Sequence, residues 1–355
     1  MSDLPATMPA IVFEEHGGPE ILRLRDIPVP RAGPGEAVFR VRAMALNYVD
    51  TWARVGQPGV QTIFPHVSGS EAAGEVVEVG EGTVGVARGD EVVTHSTLAC
   101  GACTACRTGH ESRCRRMRVW GYETGPLDGA MAAFARLPAA NLVRKPAQLS
   151  FPAAAAFPLC GMTAWHMLVG RADLRPGEDV LVWGATGGVG LYALQVCRIV
   201  GARAIAVVGG GGSRADLARE LGADEVIDHR AEDVVARVRD LTGRKGVEVV
   251  VEHPGAETWG RSIQALARGG RLVTCGNTTG WEASTDIRYL FSRELSLLGA
   301  HEASRPELLH VVHLVEQGRL RPVIAEVLPL AQAAEAERRF VAPGKAGKIV
   351  LVPDG

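Results

Sequence analysis

The sequence predicts an α/β protein in two parts: a β-rich half, then a doubly wound parallel sheet. Three observations carry this. Short β signals punctuated by Gly and Pro fill residues 1–150, with no long amphipathic helix among them. The texture changes near residue 150, where AAAAFPLCGMTAWHMLV (153–169) reads as helix. From residue 179 apolar strands and helices alternate, the pattern of parallel strands joined by crossover helices.

Taken in order, AVFRVRAMAL (37–46), AAGEVVEVG (72–80), DEVVTH (90–95) and AAFARLP (132–138) read as strands, with turns at RAGPGE and EGTVGVARGD. In the second part a strand (179–183) enters the Gly-rich turn WGATGGVG (183–190). A helix (188–200) and another strand (203–208) follow. LARELGA, EVID, AEDVVARVRDLTG, VEVVVEHPG, WGRSIQALARGG and RLVTCG continue the alternation. From about 301 a helix, SRPELLHVVHLVEQG, leads to short β signals ending in GKIVLVPDG, and this tail is expected to rejoin the first domain. The expected domains are 1–157, 158–300 and the returning segment 301–355, with no internal repeat or low-complexity linker.

A chain of 355 residues, 46% hydrophobic and 22% charged, has globular composition and suffices for two domains. A net charge of −2 leaves no basic footprint for nucleic acid. No run is read as long enough for a transmembrane helix, so no membrane partner is expected. The N-terminus lacks a basic region followed by an apolar one, so no signal peptide is expected and the cytoplasm is the expected compartment. In a reducing compartment the cluster Cys100, Cys103, Cys106 and Cys114 reads as a metal site rather than a disulfide framework. Four thiolates close a zinc coordination sphere and leave no position for substrate, so one structural Zn²⁺ is expected.

The turn WGATGGVG follows a strand and opens a helix. Its glycines allow a tight turn and close approach to a pyrophosphate, and the helix N-terminus presents free N–H groups to the phosphates. Gly184, Ala185, Gly187, Gly188, Val189 and Gly190 are therefore cofactor-binding candidates, with Ala185 standing where the first Gly of G-x-G-x-x-G would be. Thr163, Gly276 and Asn277 are further candidates. The next strand runs into Gly209–Gly212 and then Ser213-Arg214. No carboxylate is seen there to repel a 2′-phosphate, whereas Ser213, Arg214 and Arg230 could bind one, so NADPH is the expected cofactor. The blander reading makes Arg214 a solvated residue in the first turn of a helix.

The β-rich half, the four-Cys lobe near 95–116, the nucleotide half and the terminal GKIVL together resemble the medium-chain dehydrogenase/reductase superfamily. The resemblance implies a GroES-like β-rich catalytic domain interrupted by a Rossmann domain, an active site in the cleft between them, and a homodimer or homotetramer. The spacing Cys-x2-Cys-x2-Cys-x7-Cys is that of the superfamily's structural zinc lobe. The alcohol dehydrogenases of the superfamily carry a second, catalytic zinc. Their Cys-x-Ser/Thr-Asp motif aligns with Asn47-Tyr48-Val49-Asp50, and their Gly-His-Glu with Gly69-Ser70-Glu71. Only the third ligand persists, as Cys160, so no catalytic zinc is expected and Cys160 reads as a buried residue lining the cleft. Asp50 and Glu71 then read as packing carboxylates left from that metal site.

Three further segments resemble crotonyl-CoA carboxylase/reductases: WGYET (120–124), GAHEAS (299–304) and DIRYL (286–290). The resemblance implies that Asn47, Tyr122, Glu123 and His301 are the catalytic counterparts. It implies that Arg288 and Tyr289 contact the CoA nucleotide. The layout also resembles acryloyl-CoA-type reductases, which reduce without adding CO2. The implied function is NADPH-dependent reduction of a short enoyl-CoA, with hydride to the β-carbon and a proton to the α-carbon from His301 or Glu123. A quinone or enone reductase is the rival. A reductive carboxylase, a zinc alcohol dehydrogenase and a non-catalytic NADPH-binding protein are further alternatives. Trp120 and Tyr122 are pocket walls or core aromatics. His66, His95 and His166 read as structural or cleft-lining, His95 most cleft-like because it ends a strand.

Overall fold

The computed structural model describes residues 4–353. The chain divides into two compact units. One ends at Leu159 and resumes at Ala303; the other is Cys160–Glu302.

The first unit is built on a seven-stranded sheet. Its strands run in the order Ile324–Pro329, Lys348–Val352, Glu36–Ala45, Ala72–Val79, Glu91–Thr94 and Leu142–Arg144, with Phe134–Pro138 also paired to Glu36–Ala45. The C-terminal strand does rejoin this unit: Val350 and Leu351 pair antiparallel with Ala45 and Met44. Val38, Val41, Met44, Val76, Trp120, Met131 and Leu351 belong to the unit's buried core. Three of its elements escaped the sequence reading. Thr7–Val12 and Arg23–Pro28 form a separate antiparallel pair, and Tyr48–Val55 is a short helix.

The second unit is a six-stranded, wholly parallel sheet in the order Glu225–Asp228, Arg203–Val208, Asp179–Val182, Val247–Glu252, Leu266–Thr274, Ser296–Gly299. Val180, Leu181, Val249 and Val250 are wholly buried, as strands covered on both faces require. The order reverses direction between Asp179–Val182 and Val247–Glu252, the switch point where doubly wound sheets open a crevice. The helix Gly188–Val200 ends on Gly201, whose left-handed φ of 87° suits a C-terminal cap. ALARGG, expected as helix, splits: the helix ends at Ala265 and a nine-residue strand begins at Leu266.

The stretch Phe151–Arg171 corrects one expectation. Its 21 residues are long and apolar enough to cross a membrane by composition. Most of it is buried inside the protein, which accounts for its apolar character, and it is broken into Phe151–Ala155, Pro158–Trp165 and a wider-wound end, His166–Arg171.

Candidate functional site

In the second unit the glycine-rich turn leaves strand Asp179–Val182 at the switch point. Gly187 is the N-cap of helix Gly188–Val200, so that helix's first N–H groups face the turn. Gly190 is required by close approach: a Cβ there would stand 2.3 Å from the Gly184 carbonyl oxygen. His253, at the end of the neighbouring strand, lies against the turn, its ring 2.7 Å from where a Cβ on Gly184 would stand. Gly276 follows the next strand and backs onto the His253 carbonyl. Asn277 Oδ1 is buried at this edge with no hydrogen-bond donor, as is the Trp183 indole N–H with no acceptor. Buried polar atoms of this kind are costly unless a ligand or water completes them. Thr163 and Cys160 are buried one helical turn apart in Pro158–Trp165.

At the end of strand Arg203–Val208 the structure brings Arg214 and Arg230 together. Arg214 Nη2 lies 2.7 Å from where a Cβ on Gly210 would stand, and Arg230 Nε lies 3.5 Å from the same point on Gly209. His229 joins them, with Nε2 2.7 Å from the Gly209 point. Ser213 is exposed and opens the following helix. One expectation is corrected here. A carboxylate is present, delivered by the next strand: Asp228 Oδ1 accepts from the Gly210 and Arg230 N–H groups at 2.8 and 3.0 Å. Those two bonds, opposed by burial and aided by the charges of His229 and Arg230, hold its carboxyl below the usual range.

In the first unit Asn47 caps helix Tyr48–Val55 in a reciprocal box with Asp50. Its side-chain amide donates to Ala45 O at 3.0 Å and to Glu71 Oε2 at 2.9 Å. Its Oδ1 accepts from Lys348 Nζ at 2.5 Å. The same ammonium donates to Leu46 O and pairs with Glu71 Oε2, both at 2.9 Å. Glu71 Oε1 accepts the Leu159 N–H at 2.7 Å. Lys348 and Glu71 are 2% and 0% exposed, so the pair is fully desolvated and tolerable only because these bonds complete it. Asp50 accepts from the Asn47 and Gly69 N–H groups and the Ser68 and Ser70 hydroxyls. Its carboxyl is nevertheless pushed up to about 7, chiefly by burial.

Gly69 also supports the segment that carries Tyr122 and Glu123. Gly121, at φ 73°, packs so close that a Cβ would stand 2.3 Å from Gly69 O. Glu123 Oε2 accepts the Val119 N–H at 2.8 Å, closing its own turn. Trp120 and Tyr122 are buried in the hydrophobic core of this unit; burial and then the Glu123 charge push the Tyr122 hydroxyl up to about 12. His301 is exposed, just beyond edge strand Ser296–Gly299. Asn47, Tyr122 and Glu123 thus belong to one unit and His301 to the other.

His95 is buried: its Nε2 contacts Ala303 O at 3.1 Å beside the Thr97 hydroxyl, and burial pulls its pKa down to about 4. His66 Nε2 contacts Gly121 O at 2.9 Å within an aromatic cluster. Arg288 is 84% exposed and forks onto Asp286, so its charge is already matched. Tyr289 packs on the sheet core, with Arg293 over its ring.

The sulfurs of Cys100, Cys103, Cys106 and Cys114 all lie within 4.8 Å of one another. Cys100–Cys106 and Cys103–Cys106 are 3.8 and 3.5 Å apart. Tetrahedral Zn–S bonds of about 2.3 Å would separate sulfurs by about 3.8 Å, so the set fits zinc. The Cys103 and Arg116 N–H groups donate to Cys100 and Cys114 sulfurs, a common support for bound thiolates.

Residues 33–147 match the model of the alcohol dehydrogenase GroES-like domain, and 188–317 that of the zinc-binding dehydrogenases. The chain is 34% identical to a crotonyl-CoA reductase of Streptomyces avermitilis, over 94% of this chain and 82% of that one. The chain belongs to the medium-chain dehydrogenase/reductase superfamily. It is an oxidoreductase of that superfamily. It is also 35% identical to a quinone oxidoreductase of Pseudomonas aeruginosa, over 97% and 99% of the two chains. Among solved structures it resembles an NAD-dependent alcohol dehydrogenase at 42% identity and TM-score 0.91, covering 97% and 99%.

Within this medium-chain reductase the sequence reading missed Lys348, Asp228 and His253. Lys348 was quoted only as part of GKIVL. The available signal was a lone cation at the head of an apolar strand, which must find a partner when that strand is buried.

Two predictions follow from this geometry. The raised Asp50 pKa means that the folded state holds a proton the unfolded chain releases near pH 4. Its contribution is full below that pH and is lost as pH rises through about 7. Asp50→Asn should therefore remove a decline in unfolding free energy between pH 4 and 7, on the order of a few kcal/mol, read from urea melts at stepped pH. A wild-type and variant pair with parallel profiles would refute it. For the Cys lobe, metal analysis should give one zinc per chain. Chelation should lower the melting temperature before it lowers turnover; lost turnover with an unchanged melt would make that metal catalytic.

Proposed function

We propose that this protein reduces the C=C bond of a short α,β-unsaturated acyl-CoA with NADPH, without a catalytic zinc. The observation that carries this is the Lys348 knot. Where alcohol dehydrogenases place their Cys and His ligands, this chain has the Asn47 amide, Ser70 and a buried ammonium bonded to Asn47 and Glu71. A divalent cation there would meet a positive charge and committed donors instead of three ligands. An activated alkene needs no Lewis acid, because its own carbonyl withdraws the electrons. The likeness to a crotonyl-CoA reductase supports the same substrate class.

The glycine-rich turn fits a dinucleotide. Gly187 and the helix behind it would hold the pyrophosphate; Arg214 and Arg230, with Ser213, would hold the 2′-phosphate. Asp228 is turned onto two backbone N–H groups, which lessens its repulsion of that phosphate. Asn277 Oδ1 offers an acceptor to the bound cofactor. NADPH, when bound, supplies the hydride that the β-carbon receives. Asn47 acts through the knot rather than as a free donor, since both of its amide hydrogens are spent. His301 is assigned delivery of the α-proton, because it is exposed and its imidazole carries a ring N–H that can donate. Glu123, with one oxygen tied to Val119, is assigned orientation of the substrate or a water.

A second reading, a quinone or enone reductase, is favoured by one observation: the Arg288 fork is already taken by Asp286. One assay separates the two. Crotonyl-CoA with NADPH should give butyryl-CoA by mass spectrometry, unchanged by bicarbonate. A dicarboxylic product would make the protein a reductive carboxylase, and turnover of quinones alone would establish the second reading. In the same assay Arg214→Ala should raise the NADPH KM about tenfold, the weight of one charge-assisted phosphate contact, and leave the NADH KM nearly unchanged. Equal loss with both cofactors would overturn the NADPH assignment.

A further inference from the structure

At the far end of the parallel sheet from the glycine-rich turn, a cavity of about 240 Å³ opens where strands Val247–Glu252 and Leu266–Thr274 begin. It is lined by Arg239, Arg244, Lys245, Gly246, Gln264, Leu266 and Arg293, with no carboxylate. The cations come from three places: the end of helix Val234–Leu241, the loop after it, and the end of helix Ile287–Arg293. Sequence reading had no means of joining residues 239–245 to 293, and nothing in the proposed reaction uses them.

Much of a basic surface has an ordinary explanation, and Arg293 has one. Its guanidinium donates to the Ile263 and Leu266 carbonyls, so it caps the end of helix Ala256–Ala265. Burial first, and the nearby charges of Arg239 and Arg268, hold its pKa below the ordinary value despite the opposing Tyr289. The other three have no such use. Among the described residues, Arg239, Arg244 and Lys245 form no side-chain hydrogen bond and no ion pair. Elsewhere arginines of this unit find carboxylates, as Arg203 finds Asp179 and Glu225, and Arg271 finds Glu178. In a chain of net charge −2, four cations converging on one concavity without an anion is a local surplus. Like charges held together repel, and a bound anion relieves that cost.

We propose that this cavity is a second anion site, which binds a small molecule carrying two or more phosphate charges through Arg239, Arg244, Lys245 and Arg293. The volume sets the class. At about 240 Å³ it lies below the 300–1,000 Å³ usual for drug-sized ligands, so it suits a pyrophosphate group and not a whole dinucleotide. Arginine forks match phosphate oxygens in pairs, and Gln264 adds a neutral donor at the rim.

The test is calorimetric titration of the full chain with inorganic pyrophosphate. Wild type should bind, more weakly as salt rises. Arg244→Gln with Lys245→Gln should weaken binding about tenfold or more, while NADPH affinity stays at the wild-type value. Both residues are exposed, so the double variant should melt no lower than wild type without the anion. Arg237→Gln, on the same helix but outside the cavity, should bind pyrophosphate like wild type. Equal pyrophosphate binding by wild type and the double variant would place the anion at the glycine-rich turn and overturn the proposal. So would equal losses in the double variant and Arg237→Gln, which would reduce the effect to general charge. No binding by wild type would overturn it as well.

Discussion

The first unit depends on one buried ammonium. Lys348 Nζ reaches Leu46 O, Asn47 Oδ1 and Glu71 Oε2, and so ties the C-terminal strand to a helix cap 301 residues earlier in the chain. Breaking such a pair by removing one partner typically costs about 3–5 kcal/mol, because the other charge is left in a medium that cannot solvate it. The consequences spread along covalent and hydrogen-bonded paths. Glu71 also holds the Leu159 N–H, the last residue of the unit's first segment. Asn47 sets the cap of helix Tyr48–Val55, and through Asp50 that cap reaches Gly69, against which Gly121 and the Tyr122–Glu123 turn pack.

Under the proposed function, this knot stands where the superfamily's alcohol dehydrogenases hold a catalytic zinc. A zinc site concentrates negative or neutral ligands around a dication. Here an ammonium with matched acceptors balances the Glu71 carboxylate, and under the proposed function it takes the place of a metal at that point. The four-cysteine lobe is independent of this exchange, because its sulfurs sit within fifteen residues of one another in sequence and satisfy one another's geometry locally.

The second unit is organised by strand ends. At one end of the sheet the glycine-rich turn, His253, Gly276 and Asn277 converge, with orphaned polar atoms that a ligand can complete. At the other end the helix C-termini and the loop after one of them gather four cations: Arg293 is spent on carbonyls, and Arg239, Arg244 and Lys245 are left over. Opposite ends of a parallel sheet differ because all its strands point one way and the crossover helices return the other way, so helix N-termini gather at one end and helix C-termini at the other.

The sequence by itself determined the parallel sheet, the glycine-rich turn and the four-cysteine lobe. Each is written in local pattern: alternating apolar runs, glycines between a strand and a helix, and cysteines at ligand spacing. It also marked Asn47 and Ser70 as the wrong residue types to hold a catalytic metal. What only the tertiary structure decided was partnership at long range. Lys348 with Glu71, Asp228 folding back onto Gly210, Arg214 beside Arg230, and the burial of Tyr122 and His95 all join segments distant in sequence. The physical reason is desolvation. Whether a charged or polar side chain is a free reagent or a fastened strut depends on what excludes water from it, and that is settled only when distant strands pack.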